Sequence, residues 1–173
     1  MLRNGSACGC GPQSLGSTPG FHPSNEEKMK NILFVCKHNV FRSKVAEAYF
    51  KKVNKNKGLK ANSVGIIKQD VVSEIEKKLI KFQRKTAKEF GIGIKRKSKS
   101  LSVSLLKKQD IIVIVADDVP PIIFNNKFYL KSKLKIIVWK IPDVKGKKSD
   151  EFLIRKDIKV IMEKVDNLVE TLK

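Results

Sequence analysis

The chain has 173 residues, 41% of them hydrophobic, enough apolar material for one core of its own. Its 37 Lys and Arg against 17 Asp and Glu leave a formal charge of +20, a field that draws phosphate-bearing partners but that scattered lysines also produce. No apolar run has the length of a secretory signal or a membrane span, so the expectation is a cytoplasmic protein without a membrane partner.

Residues 1–28 hold five of the ten glycines, three of the six prolines and two of the three cysteines, with almost no apolar periodicity. They read as a disordered leader, followed by one domain over 29–173. Cys8 and Cys10 have only His22 beside them, too few ligands for a closed zinc site. Cys36 is the one cysteine of the domain, so a structural disulfide is not expected there and a reducing compartment is.

The stretch from Asn31 to Val35, apolar from Ile32 on, reads as a central parallel strand covered on both faces. It breaks into Cys36-Lys37-His38-Asn39-Val40-Phe41-Arg42-Ser43, after which Val45, Ala48, Tyr49 and Val53 recur at helical spacing up to Gly58. A Cys-x5-Arg-Ser loop between a strand and a helix start turns successive backbone N–H groups inward and closes the ring with a planar guanidinium. That is an oxyanion cradle holding a thiol.

Ala61 to Ile67 predicts a second strand, with Gly65 at a turn or close approach. Ser73-Glu74-Ile75-Glu76 fits a capping box, and Ile75, Leu79, Phe82, Ala87 and Phe90 continue as one helix face until Gly91. A short helical stretch over 102–108 precedes the strand Ile111 to Val115, which Asp117-Asp118-Val119-Pro120-Pro121 ends. Leu134 to Trp139 predicts a fourth strand, Pro142, Asp143 and Gly146 a loop, and Ile158, Ile161, Met162, Val165, Leu168, Val169 and Leu172 a long amphipathic helix from about Asp150. Strands alternating with helices predict an α/β fold, a parallel sheet with helices on both faces and function at the carboxyl ends of the strands. The basic cluster Lys95-Arg96-Lys97-Ser98-Lys99 lacks aromatics for base stacking, so nucleic acid is not the expected partner.

The loop from Val35 to Ser43, the helix start Ala46-Glu47-Ala48-Tyr49-Phe50, the strand end Asn62-Ser63-Val64-Gly65 and the late Ile141-Pro142-Asp143 together resemble the low-molecular-weight protein tyrosine phosphatase family, with the arsenate reductases that share its fold. The resemblance implies a three-layer sandwich whose four parallel strands run in the order 2-1-3-4. It implies a phosphomonoester hydrolase with Cys36 as nucleophile, forming a phosphocysteine, and Arg42 and the loop around the phosphate. In this reading Lys37, His38, Asn39, Val40, Phe41 and Ser43 line or brace the phosphate site, and Asp143 is the general acid. No metal and no organic cofactor is implied. The partner is a phosphorylated protein or small phosphomonoester, with inorganic phosphate as product.

His38 stands where the family has glycine, and Phe41 where many members have a second cysteine. Val144, Lys145 and Gly146 stand where aromatic walls would flank a phosphotyrosine. Asp117 and Asp118 read as turn residues outside the catalytic set, and Lys37, Lys44 and Lys145 as solvated lysines at the rim. Two alternatives remain: arsenate reduction through an external thiol, and a basic module that binds phosphate groups or nucleic acid without chemistry.

Overall fold

The computed structural model describes residues 29–67, 73–125, 133–144 and 150–172. The expected leader over 1–28 and the loop positions Lys145 and Gly146 lie outside the described residues. Nine elements follow one another: β1 (Lys30–Cys36), α1 (Arg42–Val53), β2 (Leu59–Gly65), α2 (Glu74–Glu89), α3 (Val103–Leu106), β3 (Ile111–Val115), a 3-10 turn (Pro121–Phe124), β4 (Lys135–Trp139) and α4 (Asp150–Thr171).

The sheet is parallel throughout, in the order β2-β1-β3-β4. Two central strands need apolar side chains on both faces, which is why residues 32–36 of β1 and the whole of β3 are unbroken apolar runs rather than alternating ones. Ile32 and Phe34 face one way, joining Ile111, Val113 and Val115 under α1 and α4, while Leu33 and Val35 face the other with Ile112 and Ile114, against Leu106 and Phe124. Phe34 is fully buried between Phe50 and Trp139, ring centroids 5.8 and 5.9 Å away. Each such pair adds about 0.5–1.5 kcal/mol to the burial of the rings themselves.

Register fixes the site. Cys36, the last residue of β1, pairs with Gly65, the last of β2, so the loop after Cys36 and the segment after Gly65 leave the sheet together at its carboxyl edge. Gly65 is the expected close approach: a Cβ there would sit 2.6 Å from the carbonyl carbon of His38. The capping box at Ser73 and Glu76 is present, and Gly91 follows α2 with φ +69.

Two expectations are corrected. α1 ends at Val53 rather than running to Gly58, because Asn54 turns extended, with ψ 121, and its side chain closes the next turn on Asn56. Ile75 does not face the core; it is 70% exposed at the first turn of α2, on the side of the site described next. Among the described residues no helix is long and apolar enough to cross a membrane.

Candidate active site

Helix α1 begins at Arg42, and Phe41 before it provides no side-chain cap. Among the described residues, the backbone N–H groups of Lys37, His38, Asn39, Val40 and Phe41 donate to no backbone carbonyl. Together with the uncapped helix N-terminus these are the donors an oxyanion takes.

The loop is braced from behind. Asn39 is fully buried with φ 51, a left-handed conformation that Asn tolerates better than most residues. Its Nδ2 donates to Ser43 Oγ and Ser63 Oγ, both at 2.9 Å, and its Oδ1 accepts from Lys99 N at 2.8 Å. Ser98 Oγ donates to the Asn39 carbonyl. Ser63 in turn donates to Glu47, which also holds Lys51. Burial pushes the Glu47 carboxyl up, but the hydrogen bonds from Lys51 and Ser63 outweigh it and hold the group below the usual carboxylate range. Cys36 is buried, reduced, and its Sγ lies 3.0 Å from Ser43 Oγ.

Arg42 is 5% exposed and surrounded. Its Nη1 donates to the Ile141 carbonyl at 2.9 Å, and its guanidinium meets Asp143 at 3.2 Å, Asp118 at 3.3 Å and Asp117 at 3.6 Å. Lys37 reaches Asp118 at 3.8 Å. The late loop thus delivers Asp143 to Arg42. The reading of Asp117 and Asp118 as turn residues apart from the site is corrected: the carboxyl end of β3 lies beside the loop, and both carboxylates project onto Arg42.

A cleft of about 280 Å3 opens over Cys36, lined by His38, Val40, Phe41, Arg42, Asp143 and Val144 on one side and by Ile75, Glu76, Leu79, Ile80 and Gln83 of α2 on the other. His38 Nδ1 is buried without a hydrogen-bond partner among the described residues. Lys37 and the Asp117–Asp118 pair stand on the β3 side.

Lys44 is not at the rim. It is buried, and its ammonium donates to the carbonyls of Lys95, Arg96 and Lys97 at 2.6, 3.3 and 2.9 Å, tying that basic segment to α1. Burial, with the Arg84 guanidinium, pulls Lys44 down from 10.5 to about 8. Sequence reasoning also gave no role to Ser63 or Glu47. A serine inside an otherwise buried strand end and a glutamate five positions after Arg42 on the same helix were the available signals. Among the described residues no group of three or more His, Cys, Asp or Glu forms a metal site.

A thiol at the floor of a ring of free N–H donors, with a buried guanidinium beside it and a carboxyl at the rim, defines a cysteine-dependent phosphatase of the phosphate-loop type. The family model described as low molecular weight phosphotyrosine protein phosphatase matches residues 31–173, and the chain belongs to that family. Among solved structures it is similar to an arsenate reductase from Archaeoglobus fulgidus DSM 4304, at 30% identity and TM-score 0.54, covering 80% of this chain and 98% of that one. It is also similar to a low molecular weight protein tyrosine phosphatase from T. tengcongensis, at 24% identity and TM-score 0.61, covering 82% and 99% of the two chains. A protein tyrosine phosphatase from Entamoeba histolytica matches at 24% identity and TM-score 0.64, with 83% and 95% covered. No curated protein sequence matches. The chain is a cysteine-dependent phosphatase whose substrate is phosphorylated and whose product is phosphate.

Proposed function

We propose that Cys36 attacks the phosphorus of a bound phosphomonoester in line, displacing the alcohol or phenol and forming a phosphocysteine that water then hydrolyses. The N–H groups of residues 37–41 and the fork of Arg42 hold the equatorial oxygens, where charge redistributes in the transition state. Ser43 donates to the sulfur as thiolate, both before attack and when it leaves. Asp143 gives its proton to the departing oxygen and takes one from the hydrolytic water.

The observation that carries this reading is the contact between Arg42 and Asp143 at 3.2 Å across the mouth of a loop whose floor is Cys36. A phosphate dianion bound by Arg42 competes for that contact, so substrate binding frees the Asp143 carboxyl to face the departing oxygen.

The cleft walls suit an apolar leaving group. Val40, Phe41, Ile75, Leu79, Ile80 and Val144 offer apolar surface beside the polar Glu76 and Gln83. A phosphotyrosine side chain of a protein or a small aryl phosphate fits this chemistry. The lone thiol of the described residues, Cys36, accords with a reducing, cytoplasmic setting, and no nucleic-acid or membrane partner is invoked.

Hydrolysis of a chromogenic aryl phosphate tests the mechanism. Cys36→Ser and Arg42→Ala are each expected to abolish turnover, and a wild-type rate in either variant overturns it. Asp143→Asn is expected to slow esters with poor leaving groups about 100-fold or more while sparing good ones. The similarity to an arsenate reductase supports a second reading, attack of Cys36 on arsenate with an external thiol as reductant. Arsenate-dependent consumption of glutathione distinguishes it.

A further inference from the structure

A second cavity, of about 270 Å3, shares no lining residue with the catalytic cleft, yet it too borders the phosphate loop, at Asn39. Five lysines line it: Lys44 and Lys51 from α1, and Lys95, Lys97 and Lys99 from the segment before α3. The single acid in the lining is Glu47, and both of its oxygens are engaged, one by Lys51 and one by Ser63. Lys44 spends its ammonium on the carbonyls of Lys95, Arg96 and Lys97. Among the described residues the ammonium groups of Lys95, Lys97 and Lys99 form no ion pair and no hydrogen bond.

A solvated basic face spreads its lysines over convex surface, where water screens each of them. These three converge instead on a cavity that is open at Gly93, where a Cβ would meet nothing within 4 Å. Their spacing by two puts alternate side chains of an extended segment on one side, while the residues between them are used elsewhere. Ser98 Oγ holds the Asn39 carbonyl, and the Arg96 carbonyl accepts from Arg84. Unpaired like charges gathered at one cavity repel one another, and an anion among them removes that cost.

We propose that this cavity is a second anion site, for a ligand carrying a diphosphate group, and that the bound anion tightens the brace behind the phosphate loop. One phosphate group carries at most about two negative charges, fewer than the three free cations, and a diphosphate supplies the third. No aromatic residue lines the cavity, so nothing there stacks a base and the phosphates are what is recognised. The volume lies at the small end for ligand pockets, which suits a compact anion rather than a polymer. The chain that would carry the anion is also the chain that fixes the loop: Lys99 N donates to Asn39 Oδ1 at 2.8 Å and Ser98 Oγ to the Asn39 carbonyl at 2.9 Å. With its lysines neutralised, that chain is held against Asn39, whose Nδ2 fixes Ser43 beside the Cys36 sulfur. Loop donors held in place reorganise less as the transition state forms.

Calorimetry with pyrophosphate tests the site. In Arg42→Ala, which removes the guanidinium from the catalytic loop, one equivalent of pyrophosphate is still expected to bind. Adding Lys95→Gln and Lys97→Gln together is expected to weaken that binding about tenfold or more. The matched control is Lys57→Gln with Lys60→Gln, two exposed lysines at the opposite end of β2, expected to change it less than about twofold. ADP separates the sources of the diphosphate: binding as tight as pyrophosphate admits a nucleotide's phosphate chain, exclusion of ADP limits the ligand to the free anion, and either supports the site. No binding in Arg42→Ala, or equal losses from the two lysine pairs, overturns it. A second measurement keeps the catalytic loop intact: kcat at saturating aryl phosphate, where competition for that loop is suppressed. Pyrophosphate is expected to raise kcat of the otherwise unaltered protein about twofold or more, and to leave unmoved the kcat of Lys95→Gln/Lys97→Gln, which without pyrophosphate matches that protein. A kcat indifferent to pyrophosphate in both, or raised equally in both, overturns the coupling of this cavity to the loop.

Discussion

Replacing Gly65 by alanine adds one carbon atom at the point where the two chain segments leave the sheet. The new Cβ would lie 2.6 Å from the carbonyl carbon of His38, 2.8 Å from the amide nitrogen of Asn39 and 2.9 Å from the carbonyl oxygen of Lys37. Ordinary contact begins at 3.4 Å, so the phosphate loop or the end of β2 must move by about 0.8 Å. β2 is held by its full register with β1 from Leu59 to Gly65, and by backbone hydrogen bonds from Gly65 N to Lys99 O and from Leu101 N to Gly65 O. The loop is the side that yields, since the N–H groups of residues 37–41 donate to no backbone carbonyl among the described residues, and the shift strains the bonds that brace Asn39 from behind. A displacement near 1 Å in a preorganised site costs about 100-fold, or about 2.7 kcal/mol of transition-state stabilisation. Overpacking of this kind also removes about 1–3 kcal/mol of stability. The assay is kcat/KM on an aryl phosphate beside thermal unfolding, with Gly93→Ala as the control, because a Cβ at Gly93 meets nothing within 4 Å. Gly93→Ala is expected to keep both values. A Gly65→Ala protein with wild-type kcat/KM would refute the account of how the loop is held.

Three other perturbations probe the layers beneath the cleft. Lys44→Met leaves the carbonyls of Lys95, Arg96 and Lys97 without their shared donor; chemical denaturation is expected to show a loss of about 2–3 kcal/mol, with KM for phosphate esters raised as the segment bearing Ser98 and Lys99 loosens from Asn39. Asn39→Ala puts alanine at φ 51 and removes a donor shared by Ser43 and Ser63, so kcat is expected to fall about 10- to 100-fold and the unfolding midpoint to drop. Asp157→Asn changes the pH dependence of stability. With its folded value raised from 3.8 to about 6, the native state holds a proton that the unfolded chain releases, so stability from this group is present below about pH 4 and is lost as pH rises through 6. The full displacement corresponds to about 3 kcal/mol, and water near the half-exposed Asp143 reduces it to about 1–2. Denaturation of Asp157→Asn should therefore show a gain of that size at pH 7 to 8 and none at pH 4.

The sheet was legible because its signals are local. Residues 32–36 of β1 and the whole of β3 are unbroken apolar runs, the capping box at Ser73 marks the start of α2, and prolines punctuate the ends of the β3 and β4 segments. Cys36, Arg42 and Ser43 were legible because one short loop carries them. What sequence reading missed lies across long separations. Asp117 and Asp118 meet Arg42 only after β3 is laid beside β1, and before that a pair of acids ahead of two prolines is indistinguishable from a turn. Lys44 has the composition of a surface lysine, and only the return of the 95–97 segment covers it. Ile75 failed the other way. Its place in an apolar periodicity assigned it to the core, yet the first turn of α2 overhangs the cleft, and the side chain lines that cleft instead.

The charge at the site runs against the charge of the molecule. A chain of formal charge +20 surrounds the buried guanidinium of Arg42 with Asp117, Asp118 and Asp143. For a pure anion receptor this would be a defect. For turnover it is a requirement, because the product is itself a phosphate, and a guanidinium with no competing partner would hold product as tightly as substrate and return nothing to kcat. With Arg42 partly neutralised, ground-state binding of phosphate relies on the neutral N–H groups of residues 37–41. In the proposed mechanism the guanidinium adds most when bound phosphate displaces the carboxylates from it. The lysines outside draw phosphorylated substrates in at long range, and the carboxylates inside keep the phosphate from staying.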